Sequence, residues 1–504
     1  MTLQEEIKHN ATSVLVTSHP LEAVFDGESI DYYNGFVQFD AVEQEIRNKL
    51  NVMRTERHPY ECHGNYEQQR GIMVQKDLSI ESFKSTPYIS CSSGFHFVKS
   101  TSQELSIVLS GIAFRQTPLM FQDCDLTIFN CSFQDTSIAL NVHITNNTSM
   151  YLNIHGSSFF KNNTSCMEIF IHTDNVRNQD QFLVINISET KFLENGFHKQ
   201  RFARGVMTIK SETTQPSSLH VQISCFNITS VRNYGHFINL DLPTDVTNET
   251  YNDFRLVNNT IMSEFINVPL GRKASAHPVV NSLFNSITKK TRVQFNNVRC
   301  SHNHLLRCIR IHSDEAQVEI HNSLFVGQRL TKDRGGAIYL NSTVRGSLVL
   351  FNCSFRRNIA KGGGALFANS KNGTLNLNIT NVNFTQCAAQ TYGCAILVGD
   401  LKSVRMRSGS ATYKLIANFR EIRVHDCFDY QGGCYSVRLI LSNGKVAIND
   451  SSWTSSIKSS MSRALMIANS GGNTHVTISG CAFSSTLWSK ALLKLKANDM
   501  QREA

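Results

Sequence analysis

Proline and tryptophan are scarce in this chain of 504 residues, at 8 and 2. Proline removes a backbone donor and is confined to sheet edges and turns, so its scarcity leaves long stretches free to pair. No run of about 18 apolar residues occurs, so nothing reads as a membrane-spanning helix. The N-terminus, Met-Thr-Leu-Gln-Glu-Glu-Ile-Lys-His-Asn, lacks the apolar core of a secretory signal. The net charge of +9 is scattered without a block of like charges, which marks a solubility feature and argues against a nucleic-acid partner. There is no P-loop, Rossmann fingerprint, G-x-S-x-G, H-E-x-x-H or C-x-x-C, and no Cys/His set at zinc-finger spacing. The motifs therefore imply no cofactor and no metal.

Asparagine, by contrast, is abundant, at 45 residues, as is cysteine, at 14. Asn tolerates a left-handed backbone and suits tight turns between strands. Sixteen Asn-x-Ser/Thr sequons occur, of which Asn130, Asn163, Asn186, Asn227, Asn352 and Asn383 are the glycosylation candidates. An even cysteine count with many sequons points to an oxidising, glycosylating route. The expectation is an extracellular or cell-surface protein whose signal peptide lies upstream of this chain.

The decisive pattern is a repeat: apolar, x, apolar, several small or polar residues, then a bulky one. It reads Leu126–Phe133 (LTIFNCSF), Leu152–Phe159 (LNIHGSSF) and Ile185–Phe192 (INISETKF), then Val221–Ile228 (VQISCFNI) and Val293–Cys300 (VQFNNVRC). It continues through Leu348–Phe355 (LVLFNCSF) and Leu377–Phe384 (LNITNVNF) to Val476–Phe483 (VTISGCAF). The interval of 72 residues between Ile228 and Cys300 is wide enough for one unrecognised coil. Each start alternates with a period of two, the signature of a strand. A second strand follows Gly335-Gly336-Ala337-Ile338, Gly363-Gly364-Ala365-Leu366 and Gly393-Cys394-Ala395-Ile396. Coils of this length cannot bury their own apolar faces, so they stack. The fold class expected is all-β: a right-handed parallel β-helix over 85–504, with Phe133, Phe355 and Phe384 in core stacks. An N-terminal cap region over 1–84 holds an amphipathic helix at 40–53, where Val42, Ile46, Leu50 and Met53 share a face. A partner-binding helix is the alternative use of that segment.

Two tetrapeptides, F-x-x-N (Phe159–Asn162, Phe192–Asn195, Phe355–Asn358) and G-G-A-[ILV] (Gly335–Ile338, Gly363–Leu366), carry a family likeness. They resemble the polymorphic outer-membrane-protein type of repeat within the pectin-lyase-like superfamily. The chain is also similar to uncharacterised extracellular β-helix proteins of animals, in which cysteines and sequons overlie the same repeat. The resemblance spans about residues 85–490. It implies the fold; such scaffolds host adhesins, lyases, hydrolases and epimerases alike.

Cys387 and Cys427 are 40 residues apart, as are Cys394 and Cys434. Adjacent coils fall within disulfide reach, so the expected pairing is Cys387–Cys427 with Cys394–Cys434; pairing within each coil and buried thiols are the alternatives. Cys300 and Cys308 occupy similar points of an earlier coil. At the C-terminus, Ser489–Asn498 takes the place of Ser462–Asn469, which predicts a chain that ends partway through a coil. A final cap helix is the alternative there. Only one stretch suggests chemistry: Arg310 and His312 alternate onto one strand face, with Asp314 at a turn, and together could bind or deprotonate a uronic acid. An exposed polar face with paired charges is the other reading. The function expected is a non-enzymatic scaffold that recognises glycan or protein ligands; the alternative is a carbohydrate-active enzyme, a polysaccharide lyase or glycoside hydrolase.

Overall fold

A strand with apolar residues at every second position has one face to bury, and it leaves its amides and carbonyls unpaired until a neighbour arrives. The computed structural model shows how this chain meets both demands. It describes residues 106–144, 149–162, 165–173, 180–195, 206–211, 218–231, 237–241, 282–301, 307–371, 373–399, 414–429, 435–455, 463–469 and 473–485, with short isolated segments elsewhere. No helix occurs among the described residues, and the segment 40–53 lies outside them. The chain divides into two compact units, Met1–Thr250 and Tyr251–Ala504. Each is a parallel β-solenoid.

In the first unit, Asp125–Phe129 pairs in parallel with Ser106–Ser110 on one side and Ser149–His155 on the other. The three-residue strand Ser132–Gln134 lies likewise between Ala113–Arg115 and Ser158–Phe160. Parallel pairing reaches back to Tyr60–Cys62, which lies against Tyr88–Cys91. The hairpin of Glu22–Phe25 with Glu28–Asp31 is antiparallel. In the second unit the same ladder runs through Ser282–Asn296, Arg307–His321, Ile338–Phe351, Thr374–Thr380, Lys414–Arg420, Asn443–Asn449 and Thr474–Ser479. Leu493–Lys496 is a parallel strand against Arg463–Asn469, so these four residues of the expected final coil are extended and not helical. Among the described residues, an additional sheet belongs to this unit alone: Arg329–Arg334, Ile359–Gly362, Ala388–Tyr392 and Phe428–Asp429.

Like residues superpose. In the first unit Phe114, Phe133, Phe159 and Phe192 form a buried column with centroids 5.3, 4.7 and 5.0 Å apart, all parallel-stacked. In the second, Phe325, Phe355 and Phe384 repeat it at 4.8 and 5.0 Å. Each buried ring contributes about 2–3 kcal/mol from water exclusion, and each stacked contact about 1 kcal/mol more.

The short strand is reached and left through residues in the left-handed region. Asn130 (φ 51°) and Asp135 (φ 52°) flank Ser132–Gln134; Asn352 (φ 52°) and Arg357 (φ 53°) flank Ser354–Arg356. That conformation costs an L-residue roughly 1–2 kcal/mol, least for Asn, Asp and Gly, and six asparagines adopt it among the described residues. Gly363 (φ 62°) turns the chain into the next strand, and a Cβ on Gly364 would lie 2.0 Å from the Cys394 carbonyl oxygen. The Gly-Gly pair thus combines a left-handed turn with close backbone approach.

The asparagine of F-x-x-N points inward. Asn162 and Asn195 are fully buried, and each donates its backbone N–H to the next side chain, Asn162 to Asn195 Oδ1 (3.0 Å) and Asn195 to Asn233 Oδ1 (2.9 Å). In the second unit, Gln328 N–H donates to Asn358 Oδ1 and Asn358 Nδ2 to the Phe325 carbonyl, both at 3.1 Å. This interior ladder satisfies the amides at a corner that the strand ladders do not reach.

Two details of the repeat differ from expectation. Ile223, not Val221, aligns with Ile185, and Ser230, not Ile228, takes the phenylalanine position. The coil in the 72-residue interval contains Asn252–Val257 and Thr260–Met262, with Ile261 level with Cys300. Long connections on either side hide it. Replacing Asn358 with Ala strands the Gln328 N–H, so unfolding of the chain should become easier by about 1–3 kcal/mol. The exposed Asn378→Ala change should stay within about 0.5 kcal/mol, both read from denaturant midpoints.

Candidate functional site

The expected site lies on the outer face of Arg307–His321. Arg310 and His312 do share that face, where Arg310 is level with Tyr339 and His312 with Asn341. Asn341 Nδ2 donates to His312 Nδ1 (3.0 Å), and Asn369 Nδ2 donates to Asn341 Oδ1 (3.0 Å), so His312 ends an amide column. Burial, then the positive charge of Arg310, lowers the imidazole pKa below its ordinary value and keeps the ring neutral near pH 7. Asp314 accepts a hydrogen bond from Thr343. The three residues therefore neighbour one another, but His312 and Asp314 are held by structural partners.

Arg307, two residues before Ile309, is wholly buried; it pairs with Asp333 and lies over the Tyr339 ring, 4.6 Å from its centroid. Burial pulls its pKa down and Asp333 opposes this. Tyr339 stacks on Phe367 at 5.0 Å. The cluster pins the additional sheet to the coils.

A few residues further along the same strands the outer face sinks into a depression of about 380 Å³. Lys290, Glu315 and Arg345 stand level on successive coils along one side, and Arg292, Gln317, Ser347 and Asn376 along the other. The register shifts after Ser313, where Ile338–Phe351 carries one residue more than Arg307–His321. Such a bulge re-aims the side chains beyond it, here Arg345. Glu315 lies between two cations. Arg292 Nε and Asn376 Oδ1 are buried without a hydrogen-bond partner among the described residues. Both residues line the depression, which stands at the lower end of the size range of small-molecule sites, and each keeps one buried polar atom unmet beneath its surface. The sequence reading missed Lys290, Arg292, Arg345 and Asn376, because only the coil register brings them together. No group of three His, Cys, Asp or Glu residues suited to a metal occurs among the described residues.

Cysteines play several roles. Cys300 and Cys308 form a disulfide with Cα atoms 6.4 Å apart, within one coil and its corner. Cys387 and Cys427 are buried thiols on adjacent coils, joined at the backbone by Phe428 N–H to the Cys387 carbonyl. Cys394 is level with Tyr435, a register one residue longer, and Cys434 lies outside the described residues. Cys131 and Cys353 occupy a corner that serine fills elsewhere: Cys353 Sγ reaches the Phe351 carbonyl as Ser323 Oγ reaches that of His321. Burial pushes Cys131 and Cys353 up to about 11, and Cys166 and Cys225 to about 12.

Among the sequons, Asn130, Asn186, Asn227 and Asn352 are exposed, Asn383 is half-buried and Asn163 lies outside the described residues. Asn162 is buried in the interior ladder and is sterically closed to modification in the fold.

A thiol raised to about 11 is roughly one part in a thousand thiolate at pH 8. Iodoacetamide should accordingly label half-buried Cys481 while Cys131, Cys166, Cys225 and Cys353 react only after denaturation, as read by peptide mass mapping. A digest without reductant should retain the Cys300–Cys308 link. No family model matches the chain, and neither a curated protein nor a solved structure shows significant similarity to it.

Proposed function

We propose that the protein is a non-enzymatic extracellular or cell-surface scaffold that recognises glycans through the depression on its second unit. The observation that carries this reading is the pair of unsatisfied buried atoms, Arg292 Nε and Asn376 Oδ1. Arg292 and Asn376 stand three coil steps apart, so separate hydroxyls of an oligosaccharide, each able to donate and accept, meet the two, while Lys290, Arg345, Gln317 and Ser347 supply further polar partners between and beside them. The repeat motifs support a right-handed helix of the pectin-lyase-like kind, and the sequons and cysteines support the secreted route. On that route Cys387 and Cys427 are placed to join across adjacent coils, with a disulfide donor of the compartment accepting the two electrons.

A carbohydrate-active enzyme is the second reading. The observation in its favour is the neutral His312 beside Arg310, a base next to a carboxylate-binding cation.

Screening the secreted chain on a glycan array should identify ligands, and Arg292→Ala combined with Asn376→Ala should weaken binding by tenfold or more, about 1.4 kcal/mol. An array without hits, or ligands indifferent to both changes, overturns the assignment. Release of unsaturated uronates or reducing sugars from a polysaccharide panel, lost in His312→Ala, would establish the enzyme instead.

A further inference from the structure

At the end of each long strand one residue faces outward just before the left-handed corner. Among the described residues, six of those corners are asparagines: Asn130, Asn227, Asn297, Asn322, Asn352 and Asn381, all with φ between 51° and 53°. Three of the six begin sequons, completed by Ser132, Thr229 and Ser354 at the start of the short strand. The other three are followed at that place by Arg299, Leu324 and Asn383. The same three sequon corners follow a phenylalanine, Phe129, Phe226 or Phe351, whereas the others follow Asn296, His321 and Thr380. These phenylalanines are 42%, 47% and 45% exposed, unusual for so large an apolar ring on a polar sheet face.

We propose that Asn130, Asn227 and Asn352 carry N-linked glycans, and that the first sugar of each rests on the ring of the preceding phenylalanine. The proposal rests on the secreted reading and selects sites within it. Two separate features coincide at these corners, an acceptor sequence and an exposed aromatic shelf, and neither occurs at the other asparagine corners. The corner asparagines stand at the end of the strand in the left-handed region, while the sequons at Asn186 and Asn378 lie inside paired strands. Two of the rings are held in place from one side. Phe129 stacks on His155 with centroids 5.1 Å apart, and Phe351 lies 6.1 Å from His321. The acceptor side chains are oriented as well. Asn130 Oδ1 occupies the space over Gly156 that a Cβ would fill, and Asn352 Nδ2 donates to Asn322 Oδ1 at 2.8 Å. Attachment of a sugar to Nδ2 leaves one N–H on that nitrogen, so the Asn352 bond can persist. The pyranose C–H face then covers ring surface that the sheet leaves in water.

The test is to secrete the whole chain from cultured eukaryotic cells behind an added signal sequence and to remove N-glycans enzymatically in heavy-oxygen water. Each formerly modified asparagine becomes a mass-tagged aspartate. Tags at Asn130, Asn227 and Asn352 in most molecules are expected, with none at Asn162. Secreted protein tagged elsewhere but bare at these corners overturns the assignment. For the shelf, protein trimmed to a single N-acetylglucosamine per site should show N-acetyl methyl protons shifted upfield by ring current, and Phe129→Ser, Phe226→Ser and Phe351→Ser should each return one signal to its free position. Unshifted methyls overturn the shelf. The secreted reading fails separately, if the natural full-length product is found only in the cytosol.

Discussion

The in-register parallel ladder is the constraint on which the other features depend. A strand of the solenoid finds its hydrogen-bond partners in the coils before and after it. Once backbones stack in register, side chains at like positions are brought to the separation of one coil, whatever they are. Phenylalanines become columns, asparagines become ladders, and like charges would become repulsive files. The sequence answers the last problem in the depression, where Glu315 separates Lys290 from Arg345.

Corners are where the strand ladder fails, and the chain repairs them from both sides. Outside, left-handed residues redirect the backbone. Inside, side chains stand in for missing carbonyls: Asn358 Oδ1 for the Gln328 amide, Ser157 Oγ for the Cys131 amide. Polar groups so placed bond to the coil beside them, which makes each coil dependent on the identity of its neighbour and not only on its hydrophobicity.

Much of this was legible beforehand. F-x-x-N encodes a stacked ring and a ladder amide, and G-G-A-[ILV] encodes a left-handed turn, a close approach and a strand start, so the repeats announced the parallel stack. The frame of the coil holding Ile223 was misread because VQISC alternates apolar residues over three positions, and a period of two does not say which pair is the anchor. The depression was illegible for a different reason. Its residues meet only through register, and the extra residue after Ser342 displaces Arg345 from the phase that counting would assign. The Arg310–His312–Asp314 group was visible as a pattern, but Asn341 and Thr343, which engage two of its members, come from the next coil.

The interior ladder of the second unit changes chemistry along its length. Gln328 and Asn358 are amides, and the same position then passes to Cys387 and Cys427, whose sulfurs sit 3.6 and 3.7 Å from the Phe355 and Phe384 carbonyls. Sulfur is a weak donor and a weak acceptor, so the tie between coils slackens where nitrogen and oxygen give way to it. A stack whose couplings are unequal does not fray evenly. While Cys387 and Cys427 are thiols, thermal opening of this unit should start on the sulfur side and travel toward Asn358, a weak end and a strong end that its uniform backbone does not reveal; oxidation of the pair would close the weak end.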